Sequence, residues 1–271
     1  MQIKDHLLKG DKINFVKTPN HSGEFKAGDL DTIILHYTAG PASIAINTLI
    51  NPRAKASAHL VVDRDGSITQ LAPFHFMTWH AGNSSYQGRS GFNKYSIGIE
   101  IANDGYLTPS GNLYRAWYGA THTAEEVVYA THRNQTSPTY WHVYSEDQIR
   151  VVTELCRLLI EEYNVQLILG HEEIAPARKF DPGPAFPLDK LRDQLLYSRR
   201  DLDGDEESVT QMKVAVNKLN IRNAPNTSGV LVSSPLTKGH KVRVLEKQQD
   251  WVKVATEIEG WVFASYLEPD K

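Results

Sequence analysis

The stretch Gly170-His171-Glu172-Glu173-Ile174-Ala175-Pro176-Ala177-Arg178-Lys179-Phe180-Asp181-Pro182-Gly183-Pro184 sets a histidine, a lysine and an aspartate among prolines. Pro176, Pro182 and Pro184 each fix φ and remove a backbone donor, so the segment reads as a stiff loop rather than a helix. Such stiffness is useful where side chains must be aimed. The apolar run Val165-Gln166-Leu167-Ile168-Leu169 just before it reads as a short buried strand. The loop therefore hangs from a strand end, and the residues it aims are His171 and Asp181.

A neutral imidazole and a carboxylate are both good ligands for Zn²⁺, and two histidines with one carboxylate form a catalytic set with a fourth position open. A further histidine at another strand end completes that set. Thr32-Ile33-Ile34-Leu35-His36 has strand character and ends at His36, before the Gly40-Pro41 break and a predicted helix over 42–50. Taken singly, each of these histidines is an unremarked residue, and the bland alternative for Asp181 is a turn-capping residue before Pro182.

Outward from these two segments, the signals alternate between sheet and helix. Residues 58–62 and 67–71 flank Asp63-Arg64-Asp65-Gly66, whose Asp-Gly pair suits a tight hairpin turn. Residues 72–94 read as a Gly-, Ser- and Asn-rich loop carrying Trp79 and His80. In 95–101, isoleucines alternate with small or polar residues, which puts Glu100 on the face opposite Ile97, Ile99 and Ile101 and predicts that this face borders a cleft. Ser145 and Gln148 form a capping box ahead of an amphipathic helix over 146–163, and 188–197 reads as a last helix. Residues 1–30 are polar and predict a docking strand at most.

Residues 104–144 hold eight tyrosines and tryptophans together with His122, His132 and His142. Their spacing matches no zinc-ligand pattern, so they read as an ordered insertion at the cleft rim, with Trp117 and Trp141 as sugar- or peptide-holding candidates. Asp201 to Glu207 carries acids at alternate positions but lacks the EF-hand glycine and glutamate, and reads as a solvated linker. Beyond it come short β-rich segments at 218–225, 239–245, 251–254 and 260–267.

The 271 residues are 41% hydrophobic and 23% charged, enough for one large domain and a small one. A net charge of -3 gives no basic field for nucleic acid or an anionic membrane. No apolar run spans a bilayer, and residues 1–10 lack a signal-peptide core. The expectation is a cytoplasmic monomer, or a periplasmic or wall-associated one if a leader has been removed. The single cysteine, Cys156, falls on an apolar helical position and reads as an inert buried thiol.

Five segments, HYTAG at 36–40, SAHLVVDRDGSITQL at 57–71, WHAGNSSYQG at 79–88, YSIGIEIAN at 95–103 and GHEEIAPARKFDPGPAF at 170–186, resemble those of zinc-dependent N-acetylmuramoyl-L-alanine amidases of the type-2 family. These are relatives of the peptidoglycan recognition proteins. LNIRNAP, GHKVRVLE, DWVKV and GWVFASYL resemble the bacterial SH3-type domain. The resemblance implies an α/β catalytic domain at 1–199 with a mixed central sheet flanked by helices. An acidic linker at 200–208 and a small SH3-like β-barrel at 209–271, engaging wall or only steadying its enzyme, would follow.

It further implies that His36, His171 and Asp181 hold Zn²⁺ and that the substrate is peptidoglycan or a muropeptide, cut between N-acetylmuramic acid and L-alanine. Glu100 would move the proton and Lys179 would hold the oxyanion. Tyr37, Trp79, His80, Ala81 and Arg178 are the implied substrate contacts. Read alone, Glu100 is an ion-paired structural carboxylate and Lys179 a solvated loop cation, while His59 reads as packed support. Glu172 and Glu173 read as surface or supporting acids. Some relatives carry tyrosine where this chain has Ala58, which places the base role on Glu100 and points to the recycling or broad-specificity bacterial branch. The alternatives are a peptidoglycan-binding protein without catalysis and a zinc peptidase cutting within the stem.

Overall fold

A computed structural model describes residues 1–197, 211–248 and 251–256. The chain separates into two compact units, Met1–Gly204 and Asp205–Lys271.

The first unit is built on a six-stranded mixed sheet of β1 (Ile13–Phe15), β2 (Thr32–Tyr37), β3 (Leu60–Val62), β4 (Ile68–Gln70), β5 (Ser96–Ile101) and β6 (Leu167–Gly170), in the spatial order β6-β2-β5-β3-β4-β1. The central strands β6, β2, β5 and β3 run parallel, and the hairpin β3–β4 is antiparallel. Parallel strands covered on both faces must be apolar on both, and Ile33, Ile34 and Leu35 are all fully buried. Gly66 takes φ +77° in the β3–β4 turn, the left-handed conformation that the Asp-Gly signal anticipated.

Helix α1 (Ala42–Leu49) follows the Gly40-Pro41 break. Helix α2 (Glu146–Tyr163) starts at the Ser145–Gln148 capping box and buries Val151, Val152, Leu155, Cys156, Leu159 and Ile160. These side chains join Ile33, Leu35, Ile97, Ile99 and Ile101 in the main core. Burial pushes the Cys156 thiol up to about 12, leaving it inert. The helix expected at 188–197 runs as Leu188–Arg192 and continues in a wider π-type turn over Asp193–Tyr197.

The N-terminal segment is more ordered than its polarity predicts. It forms the pair Gln2–Lys4 and Leu7–Lys9, the edge strand β1, and a strand His21–Glu24 paired with Phe76–Thr78. Each strand of the first pair needs only one inward residue. Leu8 is buried in the core while its backbone N–H donates to the Gln70 side chain at 2.8 Å.

The insertion forms its own five-stranded antiparallel sheet, in the order Thr121–His122, Leu113–Arg115, Tyr106–Ser110, Pro138–His142, Val127–Thr131. Its two tryptophans differ sharply: Trp141 is 1% exposed and Trp117 is 79% exposed. Trp141 stacks near His132, donates to the Ala130 carbonyl at 3.1 Å and lies against Gly183 of the proline-pinned loop. Its expected part at the cleft rim is therefore corrected to that of core support.

In the second unit, Gln211–Lys213, Lys241–Gln248 and Trp251–Ala255 form an antiparallel sheet around Val214, Leu236 and Val242. Bridges Leu219–Leu236 and Arg222–Leu231 add to it. The linker expected at 200–208 and the strand expected at 260–267 lie outside the described residues. No described helix is long and apolar enough to cross a membrane.

Trp141→Ala is expected to lower unfolding free energy by ~3–5 kcal/mol, as removal of a large buried aromatic does. Trp117→Ala is expected to change it by less than ~0.5 kcal/mol. Denaturant titration of the two variants checks both values, and equal losses would contradict the difference in burial.

Candidate metal centre

Cα pairing sets Glu100 beside His36 across parallel β5 and β2, and Gly170 beside Leu35 across β6 and β2. His171, the next residue, therefore leaves β6 level with His36, and three adjacent parallel strands offer functional side chains at their carboxyl ends. A four-residue helical turn, His171–Ile174, begins the loop. Glu172 N–H donates to the Asp181 carbonyl at 2.8 Å and closes it. Residues ten apart in sequence thus meet at one point.

His36 Nδ1, His171 Nδ1 and Asp181 Oδ2 lie 2.9 Å from one another on all three sides of a triangle. A hydrogen bond needs one donor and one acceptor, so three mutually touching atoms always leave at least one pair of like kind. The surroundings make the conflict sharper. His80 Nε2 faces the Ser96 carbonyl at 3.2 Å, so it must donate, and its Nδ1 accepts from His36 Nε2 at 3.0 Å. Burial, and then His171, bring His36 down to about 4. Burial, and then His36 and His59, hold His80 well below the histidine range. Both rings are neutral at pH 7, and His36 is left with a bare Nδ1. His171 Nε2 likewise faces the Ala81 carbonyl at 3.2 Å.

Burial alone raises the Asp181 carboxyl, but its contacts with His171 and His36 reverse this and hold it well below the carboxylate range. Wherever the protons sit, at least one pair of these three atoms is left lone pair against lone pair. A divalent cation satisfies all three at once. Tetrahedral centres with ligands at ~2.0–2.2 Å place donor atoms ~3.3–3.6 Å apart, which small side-chain rotations supply.

Glu100 lies next to His36, half-buried. Burial pushes its carboxyl up to about 8, with Asp181 adding to the rise and Lys179 opposing it. Lys179, half-buried on the same loop as Asp181, acts electrostatically on both His36 and Glu100.

Residues 26–184 match the family model for N-acetylmuramoyl-L-alanine amidase, and residues 217–268 match that for the bacterial SH3 domain. The chain belongs to the N-acetylmuramoyl-L-alanine amidase family. It is 33% identical over 140 residues to 1,6-anhydro-N-acetylmuramyl-L-alanine amidase AmpD of Escherichia coli, covering 51% of this chain and 57% of that protein. It is 28% identical over 174 residues to N-acetylmuramoyl-L-alanine amidase AmiD of the same organism, covering 61% and 53%. A solved structure of an AmpD derivative superposes with a TM-score of 0.49 at 27% identity, covering 72% of this chain and 99% of that one. The chain spans about half the length of the curated relatives it matches.

Within this amidase-family unit, two expected substrate contacts are corrected. His80 is buried and both its nitrogens are engaged, so it orients His36 instead. Ala81 is fully buried, and its carbonyl accepts from Arg178 at 2.7 Å and faces His171. Arg178 also donates to the Asn83 carbonyl at 2.7 Å. Trp79 donates its indole N–H to Ser22 at 2.7 Å, and Tyr37 packs its ring against Gly105. His59 is packed support, as its mid-strand position suggested: Nδ1 accepts from Gly98 N–H at 3.0 Å and Nε2 donates to the Phe76 carbonyl at 2.8 Å.

Several residues that position the centre were missed by sequence reasoning. Asn93 Oδ1 accepts the backbone N–H groups of His80 and Ala81. A Cβ on Gly98 would come within 2.4 Å of the His80 ring, so only glycine lets that ring lie over β5. A glycine inside a strand is the available signal for such a close approach. Glu172 accepts from His132 at 2.6 Å, Arg133 at 2.8 Å and Gly183 N–H at 3.0 Å, while Glu173 pairs with Arg133 and Arg192. These supporting acids tie the metal loop to the insertion.

The insertion also brings Asp104, His122 and His142 together. Here the short contacts are complementary, and the remaining pair, His142 Nδ1 and Asp104 Oδ2, stands apart at 4.0 Å. His122 Nε2 reaches Asp104 Oδ2 at 2.6 Å, Tyr118 donates to Oδ1 at 2.9 Å, and Asp104 N–H donates to His142 Nδ1 at 3.2 Å. Burial, and then Arg64 and His122, bring His142 down to about 3. Hydrogen bonding accounts for this group without an ion, unlike the first.

Two outcomes follow for the candidate centre. In chelator competition the parent is expected to hold one divalent ion tightly, with binding abolished in His36→Ala, His171→Ala and Asp181→Ala and weakened ~10–100-fold in His80→Ala. A His80→Ala affinity equal to the parent's would contradict the orienting role. Glu100 has a folded-state pKa of about 8 against 4.5 for an ordinary glutamate. Its proton-linked contribution to stability is therefore complete below pH 4.5 and lost as pH rises through 8. Melting temperatures of the chelated parent should fall over this window relative to chelated Glu100→Gln, and parallel curves would contradict the assignment.

Proposed function

We propose that this chain is a zinc-dependent hydrolase of the amide joining the lactyl group of N-acetylmuramic acid to L-alanine, in muropeptides or peptidoglycan. The observation that carries the reading is the triangle formed by His36, His171 and Asp181, with Glu100 paired to His36 on the next strand. Two neutral imidazoles and one carboxylate suit zinc and leave a coordination position open. When bound, zinc supplies a Lewis acid that polarises a carbonyl and acidifies water near neutral pH.

The chain's own groups account for the remaining steps. Glu100 accepts a proton from the attacking water and hands it to the departing amine, a role worth ~10²–10⁴-fold. The Lys179 ammonium stabilises the oxyanion that develops on the lactyl carbonyl. The water oxygen ends on the carbonyl carbon as a carboxylate, and the amide nitrogen leaves as the amino terminus of the stem peptide. Membership of the amidase family and the similarity to AmpD, whose name specifies a 1,6-anhydro-muramyl substrate, support the choice of bond.

Mass spectrometry of digests of soluble anhydro-muropeptide and of intact sacculus tests this reading. The expected products are a stem peptide beginning with L-alanine and a free muramic acid carboxylate, lost with chelator, restored by zinc, and reduced ~10²–10⁴-fold in Glu100→Gln. Binding without cleavage, or cleavage within the stem, would overturn the proposal.

A further inference from the structure

The insertion touches the loop after His36 with one hairpin tip. Ala116-Trp117-Tyr118-Gly119 forms a turn in which Gly119 N–H donates to the Ala116 carbonyl at 3.0 Å and Ala116 N–H to the Ala120 carbonyl at 2.8 Å. Trp117 Nε1 donates to the Ala39 carbonyl at 2.7 Å, three residues past His36. Tyr118 sits against Gly40, with its hydroxyl donating to Asp104 at 2.9 Å. Asp104 itself lies four residues past Glu100. The tip is thus tethered to the chain just beyond both His36 and Glu100.

The indole is held by its only polar atom and is still 79% exposed. Single exposed apolar residues are ordinary, but this one is fixed by a hydrogen bond that uses its one donor. A tryptophan fixed in this way has already lost its rotamer freedom, so a partner binds its face without that cost. With the indole N–H and the Tyr118 hydroxyl both engaged, the two aromatic side chains of the tip offer their faces rather than a donor. A π face is electron-rich and attracts the C–H groups of an uncharged ring. A pyranose presents such a C–H face with its hydroxyls at the edge, whereas a carboxylate-bearing stem peptide would call for a cation.

We propose that Trp117 is a specificity-determining residue that stacks on the saccharide ring of the substrate, beside the amide to be cut. The inference rests on the proposed amidase reading, and its test is separable from it. Binding is measured by calorimetry on the zinc-loaded full chain carrying Glu100→Gln, with and without Trp117→Ala. The ligands are N-acetylmuramoyl-L-alanyl-D-isoglutamine and the matching N-lactoyl dipeptide, which lacks the ring.

Trp117→Ala is expected to weaken the muramoyl ligand about tenfold or more, as loss of one stacking aromatic does, and to leave the lactoyl ligand unchanged. Trp117→Phe should recover part of the loss, because it keeps a ring but not the tether to Ala39. Equal affinity of the two variants for the muramoyl ligand, or an equal loss on both ligands, would overturn the proposal. Failure of the parent chain to cleave muropeptide is a separate result that counts against the amidase reading alone.

Discussion

Two imidazole nitrogens and a carboxylate oxygen are pressed together at 2.9 Å, and no placement of protons makes all three contacts favourable. A fold retains such a conflict only if something resolves it, because an unpaired buried polar group costs on the order of 1–3 kcal/mol. A shared cation resolves it for all three atoms together. The second histidine and aspartate group, around Asp104, marks the contrast: its donors and acceptors already alternate, and it works as a brace.

Much of the first unit can be understood as the means of holding that triangle. Parallel pairing levels His36, Glu100 and the end of β6 at one edge of the sheet. The carbonyls of Ser96 and Ala81 orient the hydrogens of His80 and His171 away from the centre, so bare nitrogens point inward. Glu172 and Glu173 anchor the loop through His132, Arg133 and Arg192. Trp141 supports it from the insertion side. The insertion is therefore structurally continuous with the centre, and Trp117 at its tip faces solvent.

The sheet, α1, α2 and the convergence of His36, His171 and Asp181 were legible because each has a local signature. These are two-residue alternation in β5, the Ser145–Gln148 box, the Asp-Gly turn, and prolines that stiffen a loop carrying His171 and Asp181. The short N-terminal strands were not, since a strand with one inward leucine leaves no periodicity to detect. His80 looked like a substrate contact because a histidine in a glycine-rich loop gives no sign of what its nitrogens face. That depends on Ser96, sixteen residues further on. Trp117 and Trp141 were equally indistinguishable, as burial of an aromatic in an irregular insertion is decided by tertiary packing. Gly98 was the missed clue, a strand glycine whose absent side chain makes room for the His80 ring.

The most direct test of the central claim is an anomalous difference map collected at the zinc edge from crystals of the metal-loaded protein. The account predicts a single strong peak enclosed by His36 Nδ1, His171 Nδ1 and Asp181 Oδ2. A map with no peak at that point, from protein that still cleaves muropeptide, would contradict it.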